Sequence, residues 1–309
     1  MGIPLITSLP PRTRRPLADG RDVGAEYQEM CAASWHAAGF SEIISVNSKS
    51  ELAAKPEIYT LAERLGVRVV AVDRDAANVT GRPYVFVSDL VTVGCDVAGN
   101  GNVAITNADI LFTREPKAAD LAAANAKPGQ FAIARRVAAD LPGGPTREPW
   151  YWGFDFFVGD AADFRSAPDI GLVFGCAWWD HLFPALLYLA GKSMVHIDGS
   201  FAMHLEHEER ASDEIRAKLG YHLLDEMEAF VRDQAARSEF TVRYAKSLRR
   251  VITDRSDKPL RDLAVSLRKR IPWRASTEEL HLMHRFAAHN VNFIDEFRAP
   301  DQCLRRANS

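Results

Sequence analysis

Two short polar side chains, Asn107 and Asp109, interrupt the apolar run NVAITNADILF at residues 102–112. The run reads as a single buried strand, with Val103, Ile105, Ile110, Leu111 and Phe112 supplying the apolar mass. Strand side chains alternate between faces, so positions 107 and 109 are expected to point the same way. In an α/β layout, ligands bind in the crevice beyond the carboxyl ends of the strands. A carboxylate there suits a hard divalent cation holding substrate phosphates. Asn107 brings an amide oxygen and no charge, which serves a metal or a ribose hydroxyl. The plainer reading is that Asp109 ends a strand at a turn.

Three further stretches carry chemistry. Trp150-Tyr151-Trp152-Gly153 precedes Phe154-Asp155-Phe156-Phe157-Val158. Flat rings stack on sugar faces and a carboxylate bonds sugar hydroxyls, so Trp152 and Asp155 suit carbohydrate; core packing of the aromatics competes with that reading. Gly175-Cys176-Ala177-Trp178-Trp179-Asp180 runs straight into an apolar helix, with Asp180 in its first turn, where the helix dipole favours an anion. A helix-capping role is the bland reading of Asp180. His204 and His207, three apart in extended chain, fall on opposite faces, so at most one joins a ligand set. Near the start, Arg12, Arg14 and Arg15 follow the first apolar run, where guanidinium groups match pyrophosphate oxygens.

The elements that must position these groups read as follows. Residues 3–9 form a strand, 26–38 a helix closed by Gly39, and 42–46 a strand ending at Asn47-Ser48. Residues 56–65 form a helix opened by proline and closed by Gly66, and 67–72 a β-branched strand ended by Asp73. Arg82-Pro83-Tyr84 leads into an apolar helix, and residues 103–112 form the fourth strand. Residues 131–136 resemble a strand, 141–149 a loop and 194–197 a strand. The alternation implies a doubly wound, mostly parallel sheet flanked by helices. From residue 212 onward the pattern is helical, with a stripe at Leu260, Leu263, Ala264, Leu267 and Ile271. The expected division is an α/β domain over 1–210 and a helical appendage over 211–309.

Composition sets limits. A net charge of −3 gives no overall pull toward nucleic acid. The four cysteines are scattered with no CxxC pair, which disfavours a cysteine zinc site and suits a reducing cytoplasm. The amino terminus lacks a secretory pattern, and no run reaches the roughly 18 apolar residues of a membrane span. The basic excess between Arg243 and Arg274 suggests packing on the catalytic domain, with a peripheral contact to a membrane or anionic glycolipid as the sharper alternative. GxGxxG is absent after the first strand and no Walker lysine motif occurs, which disfavours an NAD enzyme or a P-loop kinase.

The order of these motifs resembles GT-A-type glycosyltransferases of the nucleotide-diphospho-sugar transferase superfamily. The likeness runs over residues 3–208: Asn107-Ala108-Asp109 at the place of the family's DxD strand end, then Gly153-Phe154-Asp155-Phe156-Phe157, then Trp178-Trp179-Asp180, then Met203-His204-Leu205-Glu206-His207. Two departures stand out: the first DxD carboxylate is Asn107, and the usual Glu-Asp pair is Trp179-Asp180. The resemblance implies transfer of a sugar from a nucleotide-diphosphate donor to an acceptor hydroxyl of a glycan or glycolipid. Asp180 would be the general base and Asp155 would meet sugar hydroxyls, with Trp152, Trp178 and Trp179 beside the acceptor. Thr7, Arg12, Asp73, Arg82, Asn107 and Asp109 would face the donor. A divalent metal, Mn²⁺ or Mg²⁺, would sit on Asp109 and His204. Two other classes stay open: a nucleotidyltransferase, for which Pro10-Pro11-Arg12 is a poor first loop, and a non-catalytic binding protein, which the missing carboxylate favours.

Overall fold

Four β-branched or apolar runs in the front of the chain pair in parallel. They are β1 (Pro4–Thr7), β2 (Glu42–Ser48), β3 (Arg68–Val72) and β4 (Asn102–Thr106), side by side in the order β4-β1-β2-β3. In this computed structural model the described residues are 2–17, 20–113, 115–139, 146–176, 178–190, 192–197, 201–205, 219 and 305–307. The crossovers run through α1 (Gly24–Ala37), α2 (Lys49–Ala54), α3 (Glu57–Leu65), α4 (Ala77–Thr80) and α5 (Val87–Ala98). Gly39 and Gly66 end two of these helices with φ of 87° and 67°, a left-handed turn that costs glycine little.

The second half extends the same sheet through one reversed strand. Its elements are β5 (Ile110–Phe112), α6 (Ala118–Asn125), β6 (Gln130–Ala139), β7 (Thr146–Asp160), α7 (Ala161–Arg165), α8 (Trp179–Leu189), β8 (Ser193–Ile197), β9 (Ala202–Leu205) and β10 (Arg305–Ala307). The full order is β10-β8-β6-β7-β4-β1-β2-β3, with β7 antiparallel to both neighbours. Off this path, β5 pairs antiparallel with β9, which runs parallel to the outer end of β6. The result is a mixed, mostly parallel α/β sheet flanked by helices, as the alternation predicts.

Period-2 patterning sends alternate residues to two cores, one on each face. Ile6, Ile105 and Phe157 join α5 and α8 on one face, while Leu5, Ala104, Phe156 and Val158 join α1 and α6 on the other. α5 sits so close that a Cβ on Gly94 would lie 2.6 Å from Val103 Cγ2 and 2.7 Å from Ile6 Cγ1. On the opposite face Trp35 and Tyr27 are fully buried, each such ring contributing roughly 1.5–3 kcal/mol by its burial. Trp35 Nε1 also donates to the Ile110 carbonyl at 2.7 Å, which pins α1 to β5.

Several expectations are corrected. Residues 103–112 are not one strand: β4 ends at Thr106 and β5 begins at Ile110. Asn107, Ala108 and Asp109 form the turn between, where Ile110 N–H donates to the Asn107 carbonyl at 3.3 Å. Asn and Asp stabilise such turns with their own side chains, so the two short polar residues end the strand instead of decorating it. α2 was hidden behind β2: Ser48 Oγ accepts from Glu51 N–H at 3.1 Å, an N-cap where a strand end was expected. Residues 146–149, read as loop, open β7. Arg305–Ala307 is a strand beside β8, within the stretch expected to form a helical appendage. Apart from those three residues and Leu219, the helical appendage, its basic stretch and Cys303 lie outside the described residues, as does His207. Among the described residues, no helix is long and apolar enough to cross a membrane.

Candidate active site

The turn after β4 puts Asp109 against two other elements. Its Oδ2 accepts from Arg15 Nη2 at 2.6 Å and lies 3.2 Å from His204 Nε2 on β9. Its carbonyl accepts from the Tyr27 hydroxyl at 2.9 Å, and that hydroxyl in turn accepts from Leu205 N–H at 2.8 Å. Tyr27 therefore ties α1 to both β5 and β9; burial pushes its phenol far above the ordinary value, so it stays protonated and can donate. Asp109 and His204, ninety-five residues apart, are brought together as the sequence expects. Burial, with Arg136 adding to it, holds the His204 imidazole below its ordinary range and outweighs the pull of Asp109 and Asp155.

Arg15 is the partner that the sequence reading passed over in favour of Arg12. The Arg15 side chain is 4% exposed, whereas that of Arg12 is 73% exposed beside Asp22. The difference comes from the loop. Asp22 Oδ1 accepts from the backbone N–H of Arg15 at 2.7 Å and of Gly24 at 3.0 Å, folding the loop onto the start of α1. Those two backbone bonds are the main reason the Asp22 carboxyl is held below its ordinary value. A Cβ on Gly24 would collide with the Thr13 backbone, so only glycine permits this approach.

A second cluster sits on β6 and β7. The register passes from Ala134 opposite Phe156 to Arg135 opposite Phe154, so Asp155 is the extra residue of a β-bulge. Bulges re-aim side chains and recur beside active sites. Here Asp155 is 1% exposed; its Oδ2 accepts from Arg136 Nη1 at 2.8 Å and its Oδ1 from the Asn107 amide. With both oxygens engaged, Asp155 anchors Arg136 and Asn107. Burial works against the Arg136 charge, yet Asp155, Asp180 and Asp109 together hold its guanidinium above the ordinary value. Arg136 thus pairs with Asp155 and feels the charge of two further carboxylates from separate segments. The sequence carried a signal: a charge closing the apolar strand FAIARR needs a buried counter-ion.

Asp180 is buried in the first turn of α8, second residue of the helix. The preceding Trp178 has φ of +83°, the one non-glycine residue with positive φ among those described. For a bulky residue this costs about 1–2 kcal/mol, and such strain concentrates at functional sites. Trp178 and Trp179 are both buried in the core; Trp179 packs on Phe174 and Phe157 at ring-centre distances of 4.7 and 5.2 Å. These two rings fix α8 on the sheet instead of lining an open sugar platform. Trp152 lies in β7, its side chain outside the described ones.

The remaining expected donor contacts divide. Thr7, at the end of β1 opposite Ser45, is fully buried, and its hydroxyl has no hydrogen-bond partner among the described residues. Beside it, Ser45 Oγ accepts from Leu9 N–H at 2.8 Å and donates to Asn47 Oδ1 at 2.6 Å, and Asn47 Nδ2 donates to the Leu9 carbonyl at 3.0 Å. These bonds shape the chain leaving β1. Asp73 and Arg82 stand apart from the clusters: the Asp73 side chain is 83% exposed against Lys49 Nζ at 2.5 Å, and Arg82 donates to the Tyr84 hydroxyl at 3.0 Å.

A divalent metal fits these residues poorly. Asn107 brings no charge and its amide is bound to Asp155, while Arg15 already occupies Asp109 Oδ2. Among the described residues, no group of three or more His, Cys, Asp or Glu side chains is placed to hold an ion.

No family model matches the chain, and neither does any curated protein. Among solved structures, it is similar to S. aureus TarS residues 1–349 in complex with UDP-GlcNAc, with TM-score 0.48 and 13% identity over 96% of this chain and 82% of that one. Against a longer crystal structure of S. aureus TarS, the values are TM-score 0.47 and 13% identity, covering 96% of this chain and 48% of the other. A nucleotidyl transferase from Methanothermobacter thermautotroptrophicus (Mth528) aligns with TM-score 0.37 and 15% identity, over 71% of this chain and 90% of that chain.

Proposed function

We propose that this chain is a glycosyltransferase that moves a sugar from a nucleotide-diphosphate donor to an acceptor hydroxyl of a glycan or glycolipid. One observation carries the reading: Asp155 on the bulge of β7 pairs with Arg136 at 2.8 Å, and the charges of Asp109, in the turn after β4, and Asp180, in the first turn of α8, act on the same guanidinium. The GT-A resemblance expects carboxylates from those three segments in chain order, at the crevice where α/β sheets bind ligands.

The chemistry is a direct displacement. The Asp180 carboxylate takes the proton of the acceptor hydroxyl as its oxygen bonds the anomeric carbon. The bond from that carbon to the diphosphate oxygen breaks, and the diphosphate leaves with the electron pair. Arg136, a quarter exposed and braced by Asp155, faces the developing phosphate charge. No step is assigned to a metal.

The test is Asp180→Asn, which keeps shape and removes the basic oxygen. Donor binding should persist while transfer falls by about 10²–10⁴-fold. Turnover within a few-fold of wild type would leave Asp180 as a structural residue. A coupled assay separates the competing class: release of nucleoside diphosphate from a nucleotide-sugar marks glycosyl transfer, and release of pyrophosphate from a nucleoside triphosphate marks nucleotidyl transfer.

A further inference from the structure

The turn at Asn107–Asp109 calls for a cation, and the chain supplies one of its own. We propose that Arg15 takes the place of a divalent metal at Asp109, so that donor binding is independent of metal ions. The inference rests on the donor reading above and concerns how its charge is handled.

Four observations converge. Arg15 Nη2 lies 2.6 Å from Asp109 Oδ2, within the range of a strong charge-assisted bond. The guanidinium is inside the protein: its Nη1 donates to the Arg14 carbonyl at 2.9 Å, and its central carbon lies 5.9 Å from the centre of the Tyr27 ring. The loop that carries it is clamped at both ends of a short bridge, by Asp22 on the N–H groups of Arg15 and Gly24 and by Val23 N–H on the Arg15 carbonyl at 3.0 Å. A metal would therefore have to expel a buried cation from a fixed loop.

The fourth observation concerns His204. Its Nε2 lies 3.2 Å from the same Asp109 oxygen. A carboxylate held by a guanidinium can only accept, so a neutral imidazole making this bond carries its proton on Nε2. A protonated nitrogen has no lone pair to give a metal, so Nε2 could join a ligand set only after this proton moved and the bond to Asp109 broke. The two residues that the sequence offers as a metal site thus bond each other, and Asp109 is also held by Arg15. Arg136, and Arg12 and Arg14 exposed on the same loop as Arg15, are left to meet the donor diphosphate.

Titration calorimetry on the full chain, stripped with EDTA, tests this. The probes are UDP, GDP, ADP and inorganic pyrophosphate, each with and without manganese. The expected result is at least one probe bound with an affinity that manganese changes by no more than about twofold. A gain of about tenfold or more with manganese overturns the proposal. Absence of binding in both buffers overturns the donor reading, and this inference with it. In Arg15→Gln, Asp109 Oδ2 loses its guanidinium, so manganese alone should bind the variant and broaden out of its solution EPR signal, with no such change for wild type. A variant that stays silent to manganese while folded shows Arg15 to be a structural partner only and rejects the substitution argument. If Arg15→Gln does not fold, the wild-type comparison decides alone.

Discussion

Removing Arg136 strips a buried carboxylate of its counter-ion. Asp155 is 1% exposed and keeps only the Asn107 amide, while Asp109 and Asp180 lose the neighbour they share. With Arg15 and Arg136 present, the three carboxylates leave one formal negative charge in excess; with Arg15 alone they leave two. Breaking a buried pair from one side typically costs about 3–5 kcal/mol. In a domain of this size that corresponds to a fall in Tm of about 6–20 °C for Arg136→Met. Asp155→Asn should cost less, because the Arg136 side chain is 23% exposed and can turn its charge to water. Replacing both partners by apolar groups often restores or exceeds wild-type stability. Arg136→Met with Asp155→Leu should therefore recover most of the loss, short of the cost of the released Asn107 amide, yet transfer no sugar. Thermal melts of the three variants, with a transfer assay on the double one, make the comparison. A drop below about 3 °C for Arg136→Met, or a double variant no more stable than the single, would refute the claim that this pair is buried, coupled and kept for function.

Two other variants follow from the same geometry. Gly24→Ala forces the loop at Thr13 away from α1 and should cost about 1–3 kcal/mol by overpacking, with loss of donor affinity because Arg12 and Arg14 move with the loop; a denaturation midpoint and donor affinity equal to wild type would show that the loop has room. His204 has its proton affinity lowered by folding, so below the ordinary histidine value near 6.5 the unfolded chain binds the extra proton first and stability falls with falling pH. The loss has a slope of at most about 1.4 kcal/mol per pH unit and levels off below the folded value. Urea titrations from neutral to mildly acid pH should show that slope in wild type and a shallower one in His204→Gln, and equal slopes would count against a buried neutral ring.

How far this site can be read from sequence depends on whether its contacts are local. β1, β2, β3 and the helices closed by Gly39 and Gly66 were legible because periodicity and caps act within one turn or strand. The Asn107–Asp109 turn was misread as strand because apolar residues on both sides of it hid a turn of three residues. Trp178 and Trp179 illustrate the opposite error: aromatic rings next to an acid look like a sugar platform, but both are buried in the core, and α8 packs through Trp179 on Phe157 and Phe174.

The arginines show where sequence stops deciding. Arg12, Arg14 and Arg15 lie within four residues and are chemically alike, so spacing cannot say which is buried. That choice is made by Asp22 folding the loop back and by Gly24 allowing the backbone to touch α1, two features that gain meaning only together. Arg136 is different. A charge that ends the strand FAIARR cannot be buried alone, so its presence predicts a carboxylate on a neighbouring strand before any coordinates exist. Asp155, the single acid within the apolar strand GFDFFV, was the matching half. Reading that acid against the two arginines of FAIARR predicts a buried pair between neighbouring strands, and in the fold Arg136 makes it.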